Sequence, residues 1–81
     1  MPYIKTDDRP LLDKIIVQIP KELTMGELNY LITKILLTTE PQCYIDYNAL
    51  VGVLECVKLE LYRRAIAKYE NKKITDNGDV Y

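Results

Sequence analysis

Apolar side chains recur along this chain at helical spacing. Leu11, Leu12, Ile15, Ile16 and Ile19 mark one face of a first segment. Thr6, Asp7 and Asp8 precede it as N-cap candidates, and Pro10 suits a first helical turn. The pattern predicts a short amphipathic helix from about Asp8 to Gln18, ended by Pro20. The second segment has the clearest start signal. Thr24-Met25-Gly26-Glu27 reads as a capping box, and Leu23 and Leu28 stand at the two positions of a hydrophobic staple. Leu28, Leu31, Ile32, Ile35 and Leu36 then follow at i, i+3, i+4, i+7 and i+8. This predicts a helix from Met25 to about Thr38, broken at Glu40-Pro41-Gln42 because proline disfavours helix at the residue before it.

The third segment is the longest. With Asp46 as N-cap and Ile45 and Leu50 as a second staple, it reads as a helix from Tyr47 to about Glu70. Leu50, Leu54, Val57 and Leu61 are spaced like a coiled-coil seam, which Tyr47, Val51, Ala65 and Tyr69 widen. Gly52 costs this helix about 1 kcal/mol relative to alanine, and a close helix crossing would explain it. A second stripe, Leu59, Tyr62 and Ile66, lies to one side of the seam. It is either a wide core face covered by the first helix or a subunit interface, and the interface is the reading adopted. The tail from Lys73 to Tyr81 is polar. Asn77-Gly78 is a strong hairpin-turn dipeptide, and Ile74-Thr75 and Val80-Tyr81 would be its short flanks. The expected architecture is therefore all-α: a short N-terminal helix, a capped middle helix and a long C-terminal one in a single domain over 1–72, with a tail turn or hairpin over 73–81.

Size changes this picture. A chain of 81 residues buries only about 60–65% of the surface its unfolded form exposes, so it needs a staple or a partner. Cys43 falls in a predicted loop and Cys56 in a predicted helix. One bridge between them is geometrically possible, but two free thiols in a reducing compartment are the preferred reading. The chain has no His, which removes the commonest zinc ligand and general base and every histidine-dependent triad. No metal or cofactor is expected, and self-association is left as the stabiliser. The opening residues carry no apolar leader and no apolar run approaches the roughly 20 residues of a membrane span, so a cytoplasmic protein without membrane contact is expected.

The formal net charge of −1 excludes a generally basic nucleic-acid binder, yet it conceals a gradient. Lys58, Arg63, Arg64, Lys68, Lys72 and Lys73 crowd the second half of the third helix, with Tyr62 and Tyr69 among them. Cations beside tyrosine faces suit a small anionic, planar ligand: phosphates on the cations, a base stacked on the ring. Tyr62, Arg63, Arg64, Lys68, Tyr69 and the terminal Tyr81 are the candidate binding residues. The competing reading is a solvated face whose bases complement the helix dipole and pair at i,i+4, as Glu60 and Arg64 are spaced to do. The patch is too small for duplex nucleic acid.

Catalytic patterns are missing. Cys56 has only Glu55 beside it in sequence, and a carboxylate raises a thiol pKa rather than activating it. Glu55 and Glu60 are five apart and do not stack as a magnesium-holding pair. No phosphate-binding glycine loop is present. A non-enzymatic protein is expected. Its seven tyrosines, in the absence of Phe and Trp, suit interfaces and wet pockets, with Tyr30 and Tyr47 read as half-buried.

Pro2-Tyr3-Ile4, Gly26-Glu27-Leu28-Asn29-Tyr30, Gly52-Val53-Leu54-Glu55-Cys56, Lys58-Leu59-Glu60, Tyr62-Arg63-Arg64 and the terminal Asn77-Gly78-Asp79-Val80-Tyr81 together resemble an uncharacterised family of small proteins met in bacteriophage genomes and some bacteria. The resemblance implies a phage setting rather than an activity. By analogy that setting suggests a small oligomer that sequesters a nucleotide immune messenger of the host. The functional expectation is a non-enzymatic homo-oligomer binding a small anionic ligand such as a cyclic nucleotide. The alternative is a protein–protein or structural module acting through Leu59, Tyr62 and Ile66.

Overall fold

The structure, a computed structural model, describes residues 2–81 and is helical, with no strand among them. A 3₁₀ turn over Thr6–Asp8 leads into α1, Arg9–Ile16. Pro10 stands in the first turn of α1, where its missing N–H costs nothing. No side chain caps α1. The preceding segment is fixed instead by Arg9, whose Nε and Nη2 donate to the Ile4 carbonyl at 3.0 and 2.8 Å. The helix gives way before Pro20, two residues short of the expected end.

The middle helix α2 spans Met25–Leu37. Its capping box forms as the sequence predicts. The Glu27 N–H donates to Thr24 Oγ1 at 3.1 Å, and the Thr24 N–H donates to Glu27 Oε1 at 2.9 Å, so two amides at the helix start are satisfied reciprocally. At the other end the Thr38 and Thr39 hydroxyls donate to the carbonyls of Ile35 and Leu36, which also accept the Thr38 and Thr39 backbone N–H groups. Glu40 takes a left-handed φ of 53°, reversing the chain before Pro41.

The long helix differs from expectation at both ends. α3 covers Tyr44–Leu61, and a π turn over Tyr62–Ile66 joins it to α4, Ala67–Asn77. Asp46 is therefore not the N-cap but a first-turn residue. Its carboxylate reaches back to accept the Gln42 N–H at 2.9 Å, and its charge suits the positive end of the helix. The Ile45–Leu50 pair consequently lies within the helix rather than stapling its start. At the C-terminus the helix passes the expected stop at Glu70 and ends at Asn77. The Thr75 hydroxyl folds back onto the Asn71 carbonyl, and the Gly78 N–H closes the last turn on the Ile74 carbonyl at 2.9 Å. Asn77-Gly78 is thus a helix stop, not a hairpin turn, and residues 73–77 belong to the helix. Gly78 has φ 94° and ψ 144°, a backbone region essentially confined to glycine.

The described chain divides into two compact units, Pro2–Leu50 and Val51–Tyr81. Within them, α1 packs on its preceding 3₁₀ turn and α4 on the π turn. No described residue of either unit is buried. In the first unit Ile19, Leu23, Leu31, Leu36, Pro41, Asp46 and Leu50 are partly covered; in the second only Glu60 and Ala67 are. Tyr47, at 53% exposed, is about half covered as expected, whereas Tyr30 at 65% is covered less.

Candidate functional site

The basic segment is built on the π turn. Each π hydrogen bond spans five residues rather than four, adding a residue to the turn and changing which side chains share a line. Leu61 and Ile66 are brought toward one line, and the straight α-helical stripe expected for Leu59, Tyr62 and Ile66 is interrupted within its own span. All three remain exposed, Ile66 the least at 36%. They supply an uncovered apolar strip, as the interface reading requires, but with π rather than α register.

Tyr62, Arg63 and Arg64 lie on the π turn, and Lys68 and Tyr69 in the first turn of α4. The sequence places these five on one helical stretch, but their side chains have different commitments. Arg63 Nη2 pairs with Glu60 Oε1, so Glu60 serves Arg63 at i+3 rather than Arg64 at i+4. Lys73 Nζ stands 5.5 Å from the centre of the Tyr69 ring, a cation–π contact on a ring that a stacked base would need. Arg64 and Lys68 make no ion pair among the described residues. The cations best placed for an anion are therefore Arg64 and Lys68. Tyr81 is separated from them. The rest of α4 stands between, roughly 14 Å from Lys68 to its end at Asn77 at 1.5 Å per residue, and the Tyr81 N–H turns to Asp79 Oδ1 at 2.9 Å. Because the tail is helical as far as Asn77, it does not fold back to bring Tyr81 onto Arg63 and Arg64 of its own chain.

The first unit holds a feature that the sequence reading missed. A cleft lined by Ile16, Val17, Ile19, Pro20 and Lys21 meets, at Pro20, another lined by Pro20, Leu23, Gly26, Glu27, Tyr30 and Leu31. Together they form an apolar trough along the α1–α2 connection. Its signal lay in Ile19-Pro20 and Leu23, apolar residues in a stretch whose polar neighbours mark it as a loop. A smaller cleft, lined by Pro2, Tyr3, Ile4, Arg9, Leu12 and Asp13, follows from the Arg9–Ile4 clamp.

Two carboxylates are tuned, and both serve helix starts. The Thr24 backbone N–H, and then its hydroxyl, hold Glu27 below its ordinary pKa. The Gln42 N–H does the same for Asp46. Glu55 is tied to Lys58 at 3.0 Å. Cys43 and Cys56 are free and exposed. Among the described residues no cluster of three His, Cys, Asp or Glu side chains could hold a metal ion, and no helix is long and apolar enough to cross a membrane.

Neither the curated proteins nor the solved structures contain a match to this chain. One protein family does match, over residues 1–80, almost the whole length that carries the features above. The chain belongs to that family, described as Domain of unknown function (DUF6899).

Proposed function

We propose that this protein is a non-enzymatic assembly module, working as an oligomer of its own chain through apolar helix faces. One observation carries the reading: no described residue of either unit is buried. Each leucine or isoleucine left in water forgoes about 1.5–3 kcal/mol of burial free energy. Leu11, Ile15, Ile16, Leu54, Leu59 and Leu61 are all at least 40% exposed. Native mass spectrometry across concentration tests the reading. An oligomer is expected; a folded monomer at every concentration would overturn it.

A second reading is favoured by Arg64 and Lys68, two cations on a π turn and the helix turn after it, without carboxylate partners among the described residues. In this reading the oligomer sequesters a small anionic ligand, such as a cyclic nucleotide messenger, in a phage setting. Affinity without turnover would suffice. Tyr81 could then join the cations only from another copy, since its own chain holds it away. A cyclic dinucleotide added well above its Kd would raise Tm according to RT ln(1+[L]/Kd). Arg64→Ala should abolish the upshift, and the absence of an upshift across a panel of nucleotides would remove this reading.

A further inference from the structure

We propose that Asn77-Gly78 is a self-modification site, at which the Gly78 backbone nitrogen closes on the Asn77 side-chain amide whenever the last turn of α4 opens. The site is independent of the assembly reading. Its chemistry needs only water. The Gly78 nitrogen loses its proton and bonds to Asn77 Cγ. The bond from Cγ to Nδ2 breaks, and the departing ammonia takes up a proton to match the one lost. A five-membered succinimide remains. Water then adds to one of its two carbonyls and opens the ring to aspartate or isoaspartate. Nothing is oxidised or reduced.

Both reacting groups are set up by the helix stop. Glycine leaves the attacking nitrogen unshielded by a side chain. The stop itself demands that glycine, since φ 94° and ψ 144° are closed to other residues. A β-carbon at Gly78 would meet no atom within 4 Å, so the backbone and not crowding makes the demand. Asn77 is exposed, and its side-chain amide makes no hydrogen bond among the described residues. Against reaction stands one gate. The Gly78 N–H donates to the Ile74 carbonyl at 2.9 Å while Asn77 is still helical. That bond keeps the proton on the nitrogen and points the nitrogen along the helix, away from the Asn77 side chain. Helix ends open locally at low cost. Asn29, Asn48 and Asn71 instead lie inside helices and precede Tyr30, Ala49 and Lys72. There a side chain shields the nitrogen, and helical turns on both sides must open.

The step is one-way. The new carboxylate stands at the negative end of α4, between Asp76 and Asp79, with no basic residue in the last turn to offset it. Isoaspartate also routes the main chain through an extra methylene. Either product weakens the Gly78–Ile74 bond, so the opened turn does not reclose and the tail after it loses its fixed stop.

The test uses the full chain, held at mildly alkaline pH in buffer and in urea. Its four asparagines are followed by peptide mass mapping and isoaspartyl methyltransferase labelling. Asn77 is expected to convert first. It should convert at least about tenfold faster in urea, where the turn is always open, than in buffer, where it opens only locally. Thr75→Pro disfavours helix at Ile74 and should raise the rate in buffer toward the rate in urea. Asn77→Asp should speed hydrogen exchange at the Gly78 N–H. Conversion of Asn77 no faster than that of Asn29, Asn48 and Asn71 overturns the site. Equal rates in buffer and urea overturn the gate, and this comparison stands even if Thr75→Pro fails to fold. Unchanged exchange in Asn77→Asp overturns the one-way step.

Discussion

The two units solve the same problem to different degrees. Pro2–Leu50 contains α1, α2 and the first turns of α3, with breaks at Pro20 and at Glu40-Pro41, and several of its apolar side chains find partial cover. Val51–Tyr81 is one helical run as far as Asn77, with a π turn in it and a short non-helical tail, and only Glu60 and Ala67 are partly covered. A lone helix has no opposite face against which to bury its stripe, whatever its propensity. The difference teaches that helix-forming sequence and core-forming sequence are separable. The second unit is rich in the first and depends on another surface for the second.

Dilution is the harshest way to break the comparison. If assembly supplies the core, taking the protein from about 100 µM to about 0.1 µM should lower Tm and remove much of the far-ultraviolet helical signal. Hydrogen exchange at the low concentration should then be faster in α4 than in α2; equal rates would erase the distinction between the units. Thr24→Ala acts on the first unit alone. Loss of the cap should cost about 1 kcal/mol, read as a lower urea midpoint.

Gly52→Ala sharpens the comparison from the other side. A β-carbon at Gly52 meets nothing within 4 Å, so the single chain allows a gain approaching about 1 kcal/mol. A loss instead would show that assembly brings another helix against Gly52. The smallest effect should come with acid. Glu27 and Asp46 have folded pKa values below their unfolded ones. Their contribution is fully present above the unfolded values and is lost as pH falls through the folded ones, below the ordinary carboxylate range. A Glu27→Gln variant, which removes the titrating group, should lose the Glu27 part of that acid sensitivity in urea titrations at pH 3 and pH 6, whereas Thr24→Ala, which keeps the Thr24 backbone N–H, should retain most of it. Unchanged acid sensitivity in Glu27→Gln would separate the cap from the titration.

Local chemistry was legible in the sequence wherever interacting groups lie within one turn of each other. Thr24 and Glu27 named their own helix start, and Pro20 and Pro41 named the breaks. The same logic misplaced Asp46 by taking it for the cap itself. A carboxylate at the third helical position can reach backward as readily as one at the cap can reach forward. Asn77-Gly78 was ambiguous for a related reason. The same dipeptide serves a hairpin or ends a helix, and the choice depends on whether residues 71–76 stay helical up to it. In the basic segment the sequence named all six side chains. It did not register that Arg63 is held by Glu60, that Tyr69 is covered by Lys73, or that Tyr81 lies beyond the far end of α4.

The sequence by itself determined the helices, their caps and breaks, the charge gradient and the absence of histidine chemistry. These depend on residue type and on spacings of a few residues. Tertiary structure alone decided the π register at Tyr62–Ile66, the trough at Pro20 and the exposure of every apolar face. Periodicity reports that a face is apolar, but burial is a relation between two surfaces, and the second surface is not written in the spacing of the first.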